Sequence, residues 1–215
     1  MEERFIRVQR TARYHLLGDA TTAKALWIVL HGHGQLARFF LNKFEGLEDE
    51  LLIVAPEALN RFYLDEAHQR VGATWMTRED REHEIGDQCS YLDALVNELH
   101  KERPALPVNV LGFSQGVATA CRWSLRGRTR THRLVLWAGS LPMEPTTDDL
   151  RQRWAHARID LVLGTDDPYA GSKELDAVAS RLDRAGVRHA LHRFTGGHAL
   201  DPVLLGRLFK ADRPA

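Results

Sequence analysis

Five short apolar runs, each closing on a turn that contains glycine or proline, limit the folds open to this chain more than any other feature. They read ALWIVLHGHG (25–34), LLIVAPEAL (51–59), VNVLGFSQG (108–116), LVLWAGSLP (134–142) and IDLVLGTDDP (159–168). Their cores are rich in Val, Ile and Leu and do not alternate with polar residues. A strand with one wet face alternates, whereas a strand covered on both faces does not, so these runs predict a parallel sheet with layers on each side. A sixth run, HALHRFTGGH (189–198), is more polar and predicts a strand nearer the sheet edge.

Helical patterns lie between the runs. In EIGDQCSYLDALVNELHKE (84–102), Ile85, Cys89, Leu92, Val96 and Leu99 recur at three- and four-residue steps and form one apolar stripe. SKELDAVASRLDRAG (172–186) repeats the pattern with Leu175, Val178, Ala179 and Leu182, with Ser172 as candidate cap and Gly186 as stop. Strands alternating with helices predict an α/β fold with crossover connections. At 215 residues, with no repeat or linker, the expectation is one domain over 1–215.

The third run ends in LGFSQG (111–116), a Gly-x-Ser-x-Gly pattern set between a predicted strand and the apolar helical run QGVATACRWSL. A tight strand-to-helix turn can hold Ser114 in an unfavourable backbone conformation with its hydroxyl above the sheet edge. Gly112 and Gly116 remove the Cβ atoms that would crowd such a turn. The competing reading is an ordinary turn with a capping serine, and the pentapeptide alone does not separate the two.

A serine hydroxyl becomes a nucleophile only when an imidazole takes its proton and a carboxylate orients that imidazole. On the α/β-hydrolase fold the three follow in the order Ser, Asp or Glu, His. Here IDLVLG is followed by Asp166 and Asp167, and HALHRFTGG by His198, each past the C-terminal end of an apolar run. Asp167 is favoured because Pro168 biases it toward extended backbone. Asp166 is the alternative acid, otherwise suited to local turn hydrogen bonds. Among eleven histidines, His198 alone follows a Gly-Gly pair at the right chain position. An oxyanion forming on the carbonyl needs amide donors. The Gln115 amide, at the start of the helix after Ser114, is one candidate. The His33 amide in LHGHGQ (30–35), flanked by Gly32 and Gly34, is the other.

Other function classes are disfavoured. Lys plus Arg and Asp plus Glu both number 29, and a net charge of zero argues against nucleic-acid binding. The basic run RGRTRTHR (126–133) reads as a solvated helix end and loop. His31 and His33 have no third ligand at zinc spacing, so no metal is expected. No apolar stretch is long enough to span a bilayer, and the N-terminus lacks a signal-peptide core. With only Cys89 and Cys121, a cytoplasmic protein with reduced thiols is expected. Nothing in the sequence sets an oligomeric state.

In order, HGHG, GFSQG, GTDDP and GGH resemble the phospholipase/carboxylesterase group of α/β-hydrolases, which includes small bacterial carboxylesterases and acyl-protein thioesterases. The resemblance extends over about residues 26–198. It implies a mostly parallel sheet flanked by helices with little or no lid, and a serine hydrolase of carboxylic esters or thioesters acting without a cofactor. It maps the triad to Ser114, Asp167 and His198, and the oxyanion hole to the amides of His33 and Gln115. AGSLP resembles the segment that borders the acyl pocket there, which makes Leu141 a candidate contact. Residues 58–81 depart from the thioesterase pattern and place Phe62, Tyr63, Trp75 and Met76 where substrate is expected. The combined reading is an esterase for small, fairly apolar esters. A thioesterase, lysophospholipase or acyltransferase with the same triad is the alternative, and a non-catalytic binding module is the alternative of another class.

Overall fold

The computed structural model describes residues 1–103 and 106–210. The one-domain expectation for 1–215 also takes in 104–105 and 211–215, which lie outside the described residues. In chain order the first elements are β1 (Tyr14–Leu17), β2 (Ala25–Leu30), α1 (Ala37–Leu41), β3 (Leu51–Pro56), β4 (Asn60–Tyr63), β5 (Val71–Thr74) and α2 (Arg81–Glu102). They are followed by β6 (Val108–Phe113), α3 (Gln115–Arg126), β7 (Thr131–Trp137), α4 (Thr147–Trp154), β8 (Arg158–Gly164), α5 (Ser172–Ala185), β9 (His189–Phe194) and α6 (Pro202–Lys210).

The six runs become β2, β3, β6, β7, β8 and β9. They lie parallel in a seven-stranded sheet of order β1-β3-β2-β6-β7-β8-β9. β1 adds antiparallel to β3 at one edge, and the more polar β9 forms the other. The two layers explain the missing alternation. On β2, Leu26, Ile28 and Leu30 enter the core shared with Ile85 and Leu92 of α2, Val117 of α3, Leu150 of α4 and Leu175 of α5. Ala25, Trp27 and Val29 face the opposite core with Phe40 of α1 and Leu204 and Leu208 of α6. Both residue sets are apolar because both faces are dry.

A separate two-stranded antiparallel hairpin, β4–β5, rises from the segment that departs from the thioesterase pattern. No sequence signal marks it, because NRFY and VGAT are too short for a periodicity to register. Two local expectations change. Ser172 is the first residue of α5 rather than its cap. Gly171 holds the cap position, and its N–H donates to Glu174 Oε2 at 2.9 Å. Gly186 does end α5, with φ of +67°.

The second change concerns the basic run 126–133, which is only partly solvated. Thr131 already begins β7, and Arg133 is buried with its Nε donating to Asp160 Oδ2 at 2.7 Å. Its Nη1 donates to the Leu208 carbonyl of α6 at 2.6 Å. Asp160, wholly buried, also pairs with His192 Nε2 at 2.8 Å. Burial alone would raise its pKa, but the His192 hydrogen bond and the Arg133 and Arg158 charges outweigh it and hold it below the ordinary carboxylate range. A depressed folded value means that this stabilisation is present above the ordinary carboxylate pKa and is lost as pH falls through the folded value. Asp160→Ala strips the anion from a buried cation and is expected to destabilise by about 3–5 kcal/mol. A urea midpoint that shows a loss under about 0.5 kcal/mol, the range of a neutral surface change, contradicts this account.

Candidate active site

Ser114 sits between the last residue of β6 and the first of α3 with φ of +54° and ψ of −118°. A positive φ of this kind costs a non-glycine residue about 1–3 kcal/mol and persists only where surrounding contacts impose it. The contacts are present. Ser114 N–H donates to the Trp137 carbonyl at 2.9 Å, and its own carbonyl accepts from Val117 N–H at 3.0 Å. At Gly116 an added Cβ would lie 2.2 Å from the Leu30 carbonyl oxygen, so only glycine lets α3 start this close to β2. The Ser114 side chain makes no helix-capping bond. Its Oγ lies 2.9 Å from His198 Nε2.

His198 lies four residues past the end of β9, on a loop that packs against the turn following β8. That packing depends on Gly164, where a Cβ would lie 2.3 Å from the Gly196 carbonyl oxygen. The Asp166 N–H donates to the same Gly196 carbonyl at 2.9 Å, and Trp137 Nε1 holds the Ala199 carbonyl at 2.9 Å. The structure separates the two acids. Asp167 Oδ2 lies 2.8 Å from His198 Nδ1, and its side chain is fully buried. Asp167 Oδ1 accepts the Tyr169 N–H at 2.9 Å. Asp166 is exposed, and among the described residues its carboxylate takes only the Thr165 hydroxyl, at 3.2 Å. The His198 ring lies between Phe113 at 5.0 Å and Tyr169 at 4.9 Å. Tyr169 directly follows the GTDDP motif and is 81% exposed beside the imidazole, yet no residue pattern singles it out.

The HGHG segment follows β2 next to Ser114. His31 is buried and its two ring nitrogens are engaged, Nδ1 with the Gly32 carbonyl at 2.7 Å and Nε2 with Ala58 N–H at 3.1 Å. Burial lowers its pKa, and the Ala58 bond requires a neutral ring. The loop amides of Gly32, Gly34 and Gln35 donate to Gln35 Oε1, the Ala73 carbonyl and the Gly32 carbonyl. Among the described residues no acceptor is paired with the His33 N–H. Gln115, as first residue of α3, likewise has no carbonyl one turn earlier in the helix for its amide. Among the described residues no group of three or more His, Cys, Asp or Glu is placed to hold a metal ion.

The five candidate substrate contacts disperse. Phe62 is half-buried and stacks on the His33 ring with centroids 5.1 Å apart. Tyr63 is exposed and stacks on His68 within the hairpin region. Trp75 and Leu141 are buried in the core, at 1% and 4% exposure, and present no open face. Trp75 is consumed as a brace, its Nε1 donating to the His31 carbonyl at 2.8 Å while its own carbonyl accepts from Gln88. Met76 is half-buried against the same core, and its carbonyl accepts from Gln115 Nε2 at 3.0 Å. An aromatic near a site is as readily taken by the core as by substrate, and sequence does not tell which.

A parallel sheet covered on both faces, with a strained serine after a central strand and a histidine past the last one, defines an α/β-hydrolase. The chain belongs to the phospholipase/carboxylesterase family, whose sequence model matches residues 18–210, and is by class a carboxylic ester hydrolase. Among solved structures it resembles Zea mays acyl-protein thioesterase 2 at 19% identity and a TM-score of 0.74, covering 94% of this chain and 97% of that one. A carboxylesterase from Mesorhizobium loti matches at 21% identity and 0.72, over 94% and 95% of the two chains. The Bacillus cereus carboxylesterase matches at 16% and 0.71, over 93% and 92%. No curated protein matches the chain. Among the described residues no helix is long and apolar enough to cross a membrane.

Proposed function

We propose that the protein hydrolyses carboxylic esters of small, fairly apolar molecules through an acyl-enzyme on Ser114. The observation that carries this reading is the unbroken line from Asp167 Oδ2 through His198 to Ser114 Oγ, with contacts of 2.8 and 2.9 Å. His198 Nε2 takes the Ser114 proton as Oγ attacks the carbonyl, and Asp167 stabilises the imidazolium that forms. The amides of His33 and Gln115 receive the oxyanion, the latter aided by the N-terminal end of α3. His198 then gives its proton to the departing alcohol. The same nitrogen activates the water that releases the acid and regenerates Ser114.

Phe62, lying on the His33 ring, and Tyr169, beside His198, favour an apolar substrate near the reacting carbon. Cys89 and Cys121 are both free and buried, which favours a reducing compartment such as the cytoplasm. A fluorophosphonate probe is expected to label the protein once, at Ser114, as located by peptide mass spectrometry; a folded protein that takes no label would refute the reading. The rate should also fall on acidification, because a general base works only when neutral.

A further inference from the structure

The two amides assigned to the oxyanion sit on separate pieces of chain, His33 on the loop after β2 and Gln115 at the start of α3. Two donors serve one oxygen only if their spacing is kept. What lies between them is the end of β5. Ala73 exchanges two backbone bonds with the loop, Gly34 N–H to its carbonyl at 2.9 Å and its own N–H to the Gln35 carbonyl at 3.2 Å. On the other side, Trp75 N–H donates to Gln115 Oε1 at 3.1 Å.

Thr74, between them and 5% exposed, reaches both donors with one atom. Its Oγ1 lies 3.2 Å from His33 Nδ1, 2.9 Å from Gln115 Nε2, 3.1 Å from Gln115 Oε1 and 3.2 Å from the Met76 carbonyl. A hydroxyl has one proton and two lone pairs. Because Gln115 Oε1 accepts from Trp75, its Nε2 is the side that donates to Oγ1. The hydroxyl proton is left for the Met76 carbonyl or Gln115 Oε1, and the second lone pair accepts His33 Nδ1–H. One donated and two accepted bonds fill the capacity of the hydroxyl, a combination that a methyl group does not reproduce.

We propose that Thr74 is a positioning residue that locks the oxyanion loop to the nucleophile turn and so sets the spacing of the two donor amides. The proposal rests on the reading that His33 and Gln115 supply those amides. It concerns a bond pattern across two segments, so it acts on the step in which charge develops rather than on substrate binding.

The test is steady-state kinetics on a short p-nitrophenyl ester with Thr74→Val, Thr74→Ser and Ser114→Ala beside the wild type. Deleting a whole oxyanion donor costs roughly 10²–10³-fold in kcat, so loosening a pair should cost about 10–100-fold. Thr74→Val is expected to lower kcat and kcat/KM alike by that factor with KM unchanged. Thr74→Ser, which restores the oxygen, should recover most of the rate. A folded Thr74→Val with wild-type kcat, a loss confined to KM, or a loss that serine does not repair overturns the proposal. Should Thr74→Val not fold, Thr74→Ala removes the same oxygen without placing a methyl group against the Gln115 amide, and is held to the same outcomes. If Ser114→Ala is inactive while the Thr74 variants behave as wild type, only this proposal falls. If Ser114→Ala retains full activity, the triad reading fails and takes this one with it.

Discussion

Ser114→Ala is expected to lower kcat for a short p-nitrophenyl ester by roughly 10⁶-fold, leaving only the residual rate that binding and an oxyanion site provide without a nucleophile. The fold should be unaffected. The serine side chain caps nothing, and its backbone bonds to Trp137 and Val117 survive the change. Alanine meets the same positive φ with the same Cβ, so the strain of the turn is carried over rather than relieved. The melting temperature should therefore stay close to that of the wild type while turnover disappears. A variant that still hydrolyses the ester at the wild-type rate would remove Ser114 from the reaction and with it the whole acyl-enzyme scheme.

Asp167→Asn should cost about 10⁴-fold in kcat through a change of tautomer rather than a loss of contact. The Asp167 side chain is buried between two partners, Tyr169 N–H at Oδ1 and His198 Nδ1 at Oδ2. In an asparagine the Tyr169 donor claims the remaining oxygen, so the NH₂ group turns to His198. Nδ1 must then accept, the ring proton moves to Nε2, and the nitrogen facing Ser114 Oγ is no longer a base. Asp166→Asn removes charge from an exposed side chain that faces neither His198 nor Ser114, and should leave kcat within about two-fold, as surface changes away from such features usually do. The decisive comparison is the kcat ratio of the two variants. A large loss in Asp166→Asn with Asp167→Asn near wild type would reverse the assignment of the acid.

Much of this arrangement is legible in the order of the residues. Runs of Val, Ile and Leu without alternation announce strands dry on both faces, and such runs supply β2, β3, β6, β7 and β8, while the more polar run 189–198 supplies the edge strand β9. Ser114, Asp167 and His198 each stand at a glycine- or proline-marked exit from one of those strands, where backbone constraints leave a sequence trace. The missed parts leave none. β1, β4 and β5 are four residues each, shorter than the window in which a period shows. Arg133 looks like part of a solvated basic run because its partner, Asp160, lies 27 positions away on the neighbouring strand. Trp75 looks like a substrate wall because a buried indole and a pocket indole are the same residue in sequence.

The parallel sheet and the strand exits that carry Ser114, Asp167 and His198 are local or periodic properties, and the sequence by itself determined them. Which of two adjacent aspartates meets His198, which aromatics stay outside the core, and how one threonine hydroxyl spans two separate loops were decided only by tertiary structure. These depend on distances between segments far apart in the chain. Gly116 and Gly164 permit the close backbone approach that a glycine pattern can signal, but which side chains meet across it is not encoded in any local pattern.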